Sequence, residues 1–259
     1  MRKLFLIPLL CAMAFGQTVL GGTAKIGGVA TFGSAVASGT TFGFVRIVAI
    51  GGGGGSGCPA TTGTTCTFTV PATGSGNVGI IYTAVGQVST LATSVSGGGT
   101  WTCPAGAGIS YTAGTMSLSG CYNLNLTGSV TSIVITYGAT LSNYPEVFYL
   151  ECTQSGTAAS YNTSRSESRN GASPLAGEDL TGASPVFTAS NSIIVQAVAY
   201  AGSTPTGITG GSPAYGHFQT PMPLTNMSIA DSENTTTGTA PSWTYGSSSF
   251  GAFSALAIQ

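Results

Sequence analysis

Cys66-Thr67-Phe68-Thr69-Val70 alternates apolar and hydroxyl-bearing residues, and Pro71 closes the run. Strict alternation is the period of a β-strand, and proline cannot continue a ladder. Similar segments lie to either side. Phe42 to Ile50 is β-branched and aromatic and stops at the glycine run Gly51 to Gly55. Asn77 to Val85, Ser129 to Tyr137, Pro145 to Cys152, Ser192 to Tyr200 and Phe250 to Ile258 are rich in Val, Ile, Thr, Tyr or Phe. Each is bounded by Gly, Pro, Asn or Ser, the residues that punctuate strands. No stretch carries a helical apolar period behind a capping residue. Leu, Glu, Lys and Arg, which build exposed helices, are scarce. The pattern predicts an all-β chain folded as a single antiparallel β-sandwich over residues 41–259, with no linker dividing it.

The segments ahead of this domain read differently. Met1-Arg2-Lys3 precedes an apolar run from Leu4 to Phe15, and Ala14-Phe15-Gly16 fits a small-x-small cleavage site. Residues 1–16 therefore read as a secretory signal peptide, too short to span a bilayer. Cys11 raises lipidation as an alternative, although Leu10 stands where a small residue is expected. Residues 17–40 form a Gly/Ala-rich extended arm. Within it Leu20 to Lys25, Ile26 to Thr31 and Phe32 to Ala37 each start apolar and continue with small residues. That is a hexapeptide pattern too brief to build a β-helix of its own. No later apolar run reaches membrane length, so no transmembrane segment is expected. The predicted location is secreted or cell surface.

Charge is the most unusual feature of the composition. Only 5% of the 259 residues are charged, against roughly a quarter in ordinary soluble domains. Once the leader is removed, four cations (Lys25, Arg46, Arg165, Arg169) and seven acids remain, a net charge of −3. Nothing here could neutralise a phosphate backbone, so nucleic acid is excluded as a partner. Five cysteines remain as well. Export favours disulfides, and two local bridges are expected: Cys58 with Cys66, and Cys103 with Cys121. Zinc is the rival use, but C-x2-C spacing is absent and the chain holds 1 histidine. Cys152 is left as a buried thiol, or as one half of an intermolecular bridge.

Several blocks, taken in order, resemble a family of secreted bacterial β-sandwich domains. Asn77-Val-Gly-Ile-Ile-Tyr-Thr-Ala-Val85 follows a Pro-Ala-Thr-Gly-Ser-Gly turn. Val95-Ser-Gly-Gly-Gly-Thr-Trp-Thr102 leads into an aromatic strand. Val130 to Thr136 and Val147 to Cys152 form the following pair, and Ser192 to Tyr200 with the last strand completes the set. The resemblance covers roughly residues 60–259 and implies a jelly-roll-like topology. It carries no catalytic motif. Members occur in surface and extracellular proteins.

The search for chemistry gives little. No serine sits in a G-x-S-x-G elbow, and His217 is the sole histidine. Glu146 and Glu151 are five apart, so an unbroken strand sends them to opposite faces. Adjacent Glu178 and Asp179 also diverge. Asp231 and Glu233 are two apart in a turn-like stretch and could share a face, as calcium ligands or as the acid and base of a hydrolase. A solvated acidic turn is the plainer reading, and no other cofactor is indicated. Gly51 to Gly55 lacks the Lys-Ser/Thr of a phosphate loop. Trp243 and Tyr245 are two apart, and Trp101 lies near Cys103. Exposed aromatics of this kind bind sugar rings, while buried ones fill cores. Sequons begin at Asn125, Asn162, Asn226 and Asn234, and chance matches are expected in a chain so rich in Ser and Thr.

Three functions follow in order of support. The first is a non-catalytic extracellular surface, adhesion or assembly module with a neutral hydroxyl-rich surface, its partner another copy or an extracellular glycan. The second is a carbohydrate-binding module using Trp101, Trp243 or Tyr245. The third is a glycan or peptide hydrolase on the same scaffold.

Overall fold

The computed structural model describes residues 40–51, 63–171, 175–176, 192–201, 205–209, 217–219, 227–235, 242–245 and 249–259. The leader, the arm up to residue 39 and Cys58 lie outside the described residues. So do Glu178 and Asp179.

The described chain is an all-β sandwich of antiparallel sheets. The middle sheet holds β1 (Thr40–Gly51), β8 (Glu146–Gly156), β3 (Val78–Val85), β6 (Met116–Asn123) and β5 (Gly108–Tyr111), in that order. A second five-stranded sheet runs β13 (His217–Gln219), β14 (Met227–Thr235), β11 (Ser192–Ala201), β16 (Ser249–Ile258) and β9 (Tyr161–Gly171). A three-stranded sheet runs β2 (Thr65–Thr69), β7 (Ser132–Tyr137) and β4 (Ala92–Ser96). Another is made of β10 (Leu175–Ala176), β15 (Ser242–Tyr245) and β12 (Pro205–Thr209). Among the described residues a single 3-10 turn, Ala105–Ala107, interrupts the strands.

The alternation of side chains explains the layering. Val78, Ile80 and Tyr82 of β3 and Phe148 and Leu150 of β8 point to one face of the middle sheet. There they meet Ile193, Val195, Ala197, Leu256 and Ile258 of the second five-stranded sheet. Tyr82 crosses this interface and donates its hydroxyl to the Val195 carbonyl at 3.1 Å. The opposite parity, Ile81, Val147 and Tyr149, packs on Phe68, Ile133 and Ile135 of the β2–β7–β4 sheet. The middle sheet is thus buried on both faces, and β3 has no exposed position. Burying one such aliphatic or aromatic side chain contributes about 1.5–3 kcal/mol, so the two interfaces dominate stability.

The seven strands expected from sequence all form, with ends moved by a few residues. Cys66 and Phe68 face inward and Thr65, Thr67 and Thr69 outward. Cys103 and Cys121 form a disulfide across eighteen residues. Cys66 is also disulfide-bonded, with its expected partner Cys58 outside the described residues. Cys152 is a buried thiol on β8.

Candidate functional site

Two polar regions stand out, and they differ in every respect. The first centres on Glu151. It lies on β8 among Tyr149, Leu150 and Cys152 and has no exposed surface. A carboxylate so placed is tolerable only if its oxygens are satisfied. The Gly74 backbone N–H donates to Oε1 at 2.7 Å and the Asn77 amide donates to the same oxygen at 2.6 Å. The Tyr149 hydroxyl donates to Oε2 at 3.0 Å. Arg46 supplies the counter-charge, with Nε 3.1 Å from Oε2 and Nη2 donating to the Ala72 carbonyl at 3.1 Å. Burial, and then the adjacent carboxylate, hold the Tyr149 phenol far above its ordinary range, which keeps it a donor.

A single irregularity of β1 makes this pairing possible. Phe44 stands opposite Cys152, and the next paired residue, Arg46, stands opposite Glu151. Val45 is therefore an extra residue, a β-bulge. Before it the even residue Phe42 faces the five-stranded partner sheet; after it the odd residues Ile47 and Ala49 do. Without the bulge Arg46 would turn to that apolar interface, because a one-residue slip exchanges the faces. The bulge turns the one cation of β1 onto the face that carries Glu151.

The same cross-strand row continues through Gly79 on β3 to Asn123 on β6. Gly79 has no side chain, and the vacated space holds the Trp101 ring and Leu126. A Cβ there would stand 3.0 Å from the ring and 3.1 Å from Leu126. Trp101 is half-buried in this position and donates Nε1–H to the Gly97 carbonyl at 2.6 Å. Asn123 donates to the neighbouring Gly98 carbonyl at 2.9 Å. Trp101 thus packs as part of the core beneath the β2–β7–β4 sheet.

The second region is the outer face of that sheet. Its inward positions are apolar, while Thr65, Thr67 and Thr69 of β2 are exposed. Ladder pairing sets Thr65 beside Thr136 of β7, which is next to Ser94 of β4; Thr67 lies beside Val134, which is next to Ser96. Thr69 lies beside exposed Ser132. None of these three strands contains a charged residue.

The remaining sequence candidates lie on other sheets. Trp243 and Tyr245 occupy β15, with Trp243 opposite Leu175 and Ile208 and Tyr245 opposite Pro205. They share neither strand nor sheet with Trp101. Asp231 lies on β14, with His217 of β13 directly opposite it and Val195 on its other side. Glu233 falls where the β11–β14 register shifts. Glu146 and Glu151 are five residues apart on β8, which pairs with β3 without a break, so they face opposite ways. No group of three or more metal-ligating side chains occurs among the described residues.

The sequence reading missed the Arg46–Glu151 pair. One signal was present: Arg46 is the lone charge of β1 and Glu151 stands inside the apolar run of β8, in a chain with few charges to place. Such charges require a partner, and these two belong to strands that pair. Comparison with known protein families, curated proteins and solved structures finds no match.

Proposed function

We propose that this chain is a non-catalytic extracellular surface module, making its contacts through neutral hydroxyl-bearing faces. The observation that carries this reading is the outer face of the β2–β7–β4 sheet, where seven of the eight outward positions described above bear hydroxyls, the eighth is Val134, and none bears charge. A second point supports it. The one described carboxylate at the heart of the middle sheet already accepts three hydrogen bonds and faces a guanidinium. It has no surface from which to serve a substrate as acid or base. The cysteine bridge across 103 and 121 suits an oxidising compartment.

The test is secretion and turnover together. The full chain is produced in a secreting host and followed in cytoplasm, surface and medium, and the purified protein is assayed on glycans and peptides. The reading predicts protein outside the cytoplasm and no hydrolysis. Cytoplasmic retention, or release of product that rises with enzyme concentration, overturns it.

A further inference from the structure

We propose that the chain is a fused pair. Residues 40–156 and 161–258 are two copies of one eight-stranded unit, and the five-stranded sheet of each is the surface that binds the other. This goes beyond the surface-module reading and does not depend on it.

Strand order is the first ground. The sheets of the first unit run β1-β8-β3-β6-β5 and β2-β7-β4. The other two, read from β9 and from β10, run β9-β16-β11-β14-β13 and β10-β15-β12. These are the same orders, with every strand eight places later. Connection rules limit the orders a chain can adopt, but they do not set where a ladder breaks. Two breaks recur at matching steps. Val45 is the extra residue of β1, between the pairs Phe44–Cys152 and Arg46–Glu151. Asn162 is the extra residue of β9, between the pairs Tyr161–Ile258 and Thr163–Ala257. On the next strand Val78 stands opposite Cys152, and Ile193 opposite Ile258. The second break lies in the three-stranded sheets. Thr93 is extra between Ala92–Tyr137 and Ser94–Thr136, and Thr206 between Pro205–Tyr245 and Gly207–Thr244. Here residue type agrees as well as place: Thr93 with Thr206, Thr136 with Thr244, and Tyr137 with Tyr245. Bulges persist within a family as built features. Two of them at equivalent steps, in one strand order used twice, are the mark of duplication.

The units also meet as a symmetric pair would. Val78, Ile80, Leu150 and Cys152 of the first share one core with Ile193, Val195, Leu256 and Ile258 of the second. Matching the bulges makes these the same four ladder positions in each unit, and none of the eight has exposed surface. At one side β5 of the first unit packs against β9 of the second; at the other β1 packs against β14, the neighbour of β13. The sheets thus stack with their strand orders reversed. A patch that pairs with its own equivalent in this way is the isologous contact of a two-fold dimer. The ends agree with fusion. Thr40 pairs with Gly156 and Tyr161 with Ile258, so each unit begins beside its own end, and residues 157–160 suffice to join the two. The copies have diverged in charge. Thr163 and Ala257 take the places of Arg46 and Glu151, so the buried ion pair belongs to the first unit.

The experiment cuts the full chain at one of two places. A protease recognition sequence is inserted after exposed Ala158, between the units, or after exposed Asn143, within the first unit. Each folded protein is cleaved, sized, unfolded in urea and returned to buffer. For the cut at 158 the two pieces should co-elute at the size of the intact chain, separate in urea and re-form the same complex on dilution. The cut at 143 takes β8 from between β1 and β3 of its own unit, and re-formation should be largely lost. A permuted chain that starts at Ala159 and joins Gln259 to Thr40 through a glycine linker serves if the insertion prevents folding. It should unfold cooperatively with the urea midpoint of the parent. Pieces cut at 158 that part without urea, equal recovery from both cuts, or a permuted chain that does not fold overturns the inference.

Discussion

The Glu151 cluster and the threonine face are both polar, yet they serve opposite ends. At Glu151 each carboxylate oxygen is occupied and the residue has no exposure. On the β2–β7–β4 sheet the outward hydroxyls of β2 are open to water. The difference teaches how a chain with so few charges distributes its polar chemistry. The buried charge fixes β1, β8 and the 72–77 turn to one another, and the outer face of the β2–β7–β4 sheet is left to neutral groups. Catalytic chemistry needs a polar group that is both activated and reachable; neither region combines the two.

The comparison breaks most easily at its buried end. Arg46→Met leaves Glu151 as a buried carboxylate without a cation, and an uncompensated buried charge costs about 3–5 kcal/mol. Urea unfolding should show the midpoint fall with the slope unchanged. A loss below about 1 kcal/mol would mean that the pair is no stronger than a surface salt bridge.

Removing the Cys103–Cys121 bridge by paired alanine substitution should cost about 3 kcal/mol, as expected for a loop of this length. The measurement is again urea unfolding, against the intact chain and the chain with reductant. A variant as stable as the parent would show that the strand contacts alone hold this end of the middle sheet.

Two buried tyrosines predict how stability depends on pH. Burial raises the pKa of Tyr149 and of Tyr137 well above the ordinary value, and a hydrogen bond with Thr83 only partly offsets this at Tyr137. The unfolded chain releases these protons near pH 10 while the folded chain keeps them. Their contribution is therefore fully present below about pH 10 and is lost as pH rises beyond it, at about 1.4 kcal/mol per pH unit for each tyrosine. Unfolding free energies measured through the alkaline range should bend downward there. Tyr137→Phe should halve the slope these two produce; an unchanged slope would remove Tyr137 from the account.

The smallest effect belongs to the surface. Thr67→Ala should change stability by no more than about 0.5 kcal/mol, although its neighbour Phe68 is fully buried. A larger loss would mean that the hydroxyl face is part of the architecture rather than a contact surface.

Much of the fold was legible because alternation reports burial directly. Cys66 to Val70 and Ser132 to Tyr137 show a period of two, and the structure buries alternate residues in both. The strand β6 escaped notice although all its residues are buried. Met-Ser-Leu-Ser-Gly-Cys-Tyr-Asn carries hydroxyls on one parity, and these are used inside: Ser117 and Ser119 accept the Thr90 and Ala92 N–H groups. Polarity in sequence there means an internal hydrogen bond, not exposure. The strand β9 was missed for the converse reason. Tyr161 to Gly171 is a polar edge strand that includes Arg165, Glu167 and Arg169, and edge strands carry charge without an apolar period. The Arg46–Glu151 site was hidden by the bulge at Val45, since simple parity assigns Arg46 to the wrong face. Of the hydroxyl face, β2 and β7 were visible as strands and β4 was not, and the rows that join them depend on register, which hydrophobic pattern alone does not supply across three strands.

The most direct test of the central claim, that the buried charge is structural and acts as one unit, is a double-mutant cycle. Unfolding free energies are measured for the parent, Arg46→Met, Glu151→Gln and the double variant. The account predicts a coupling of about 1–3 kcal/mol, the double variant losing clearly less than the two single losses combined. Losses that simply add would show that Arg46 and Glu151 stabilise the sheet independently, and would contradict it.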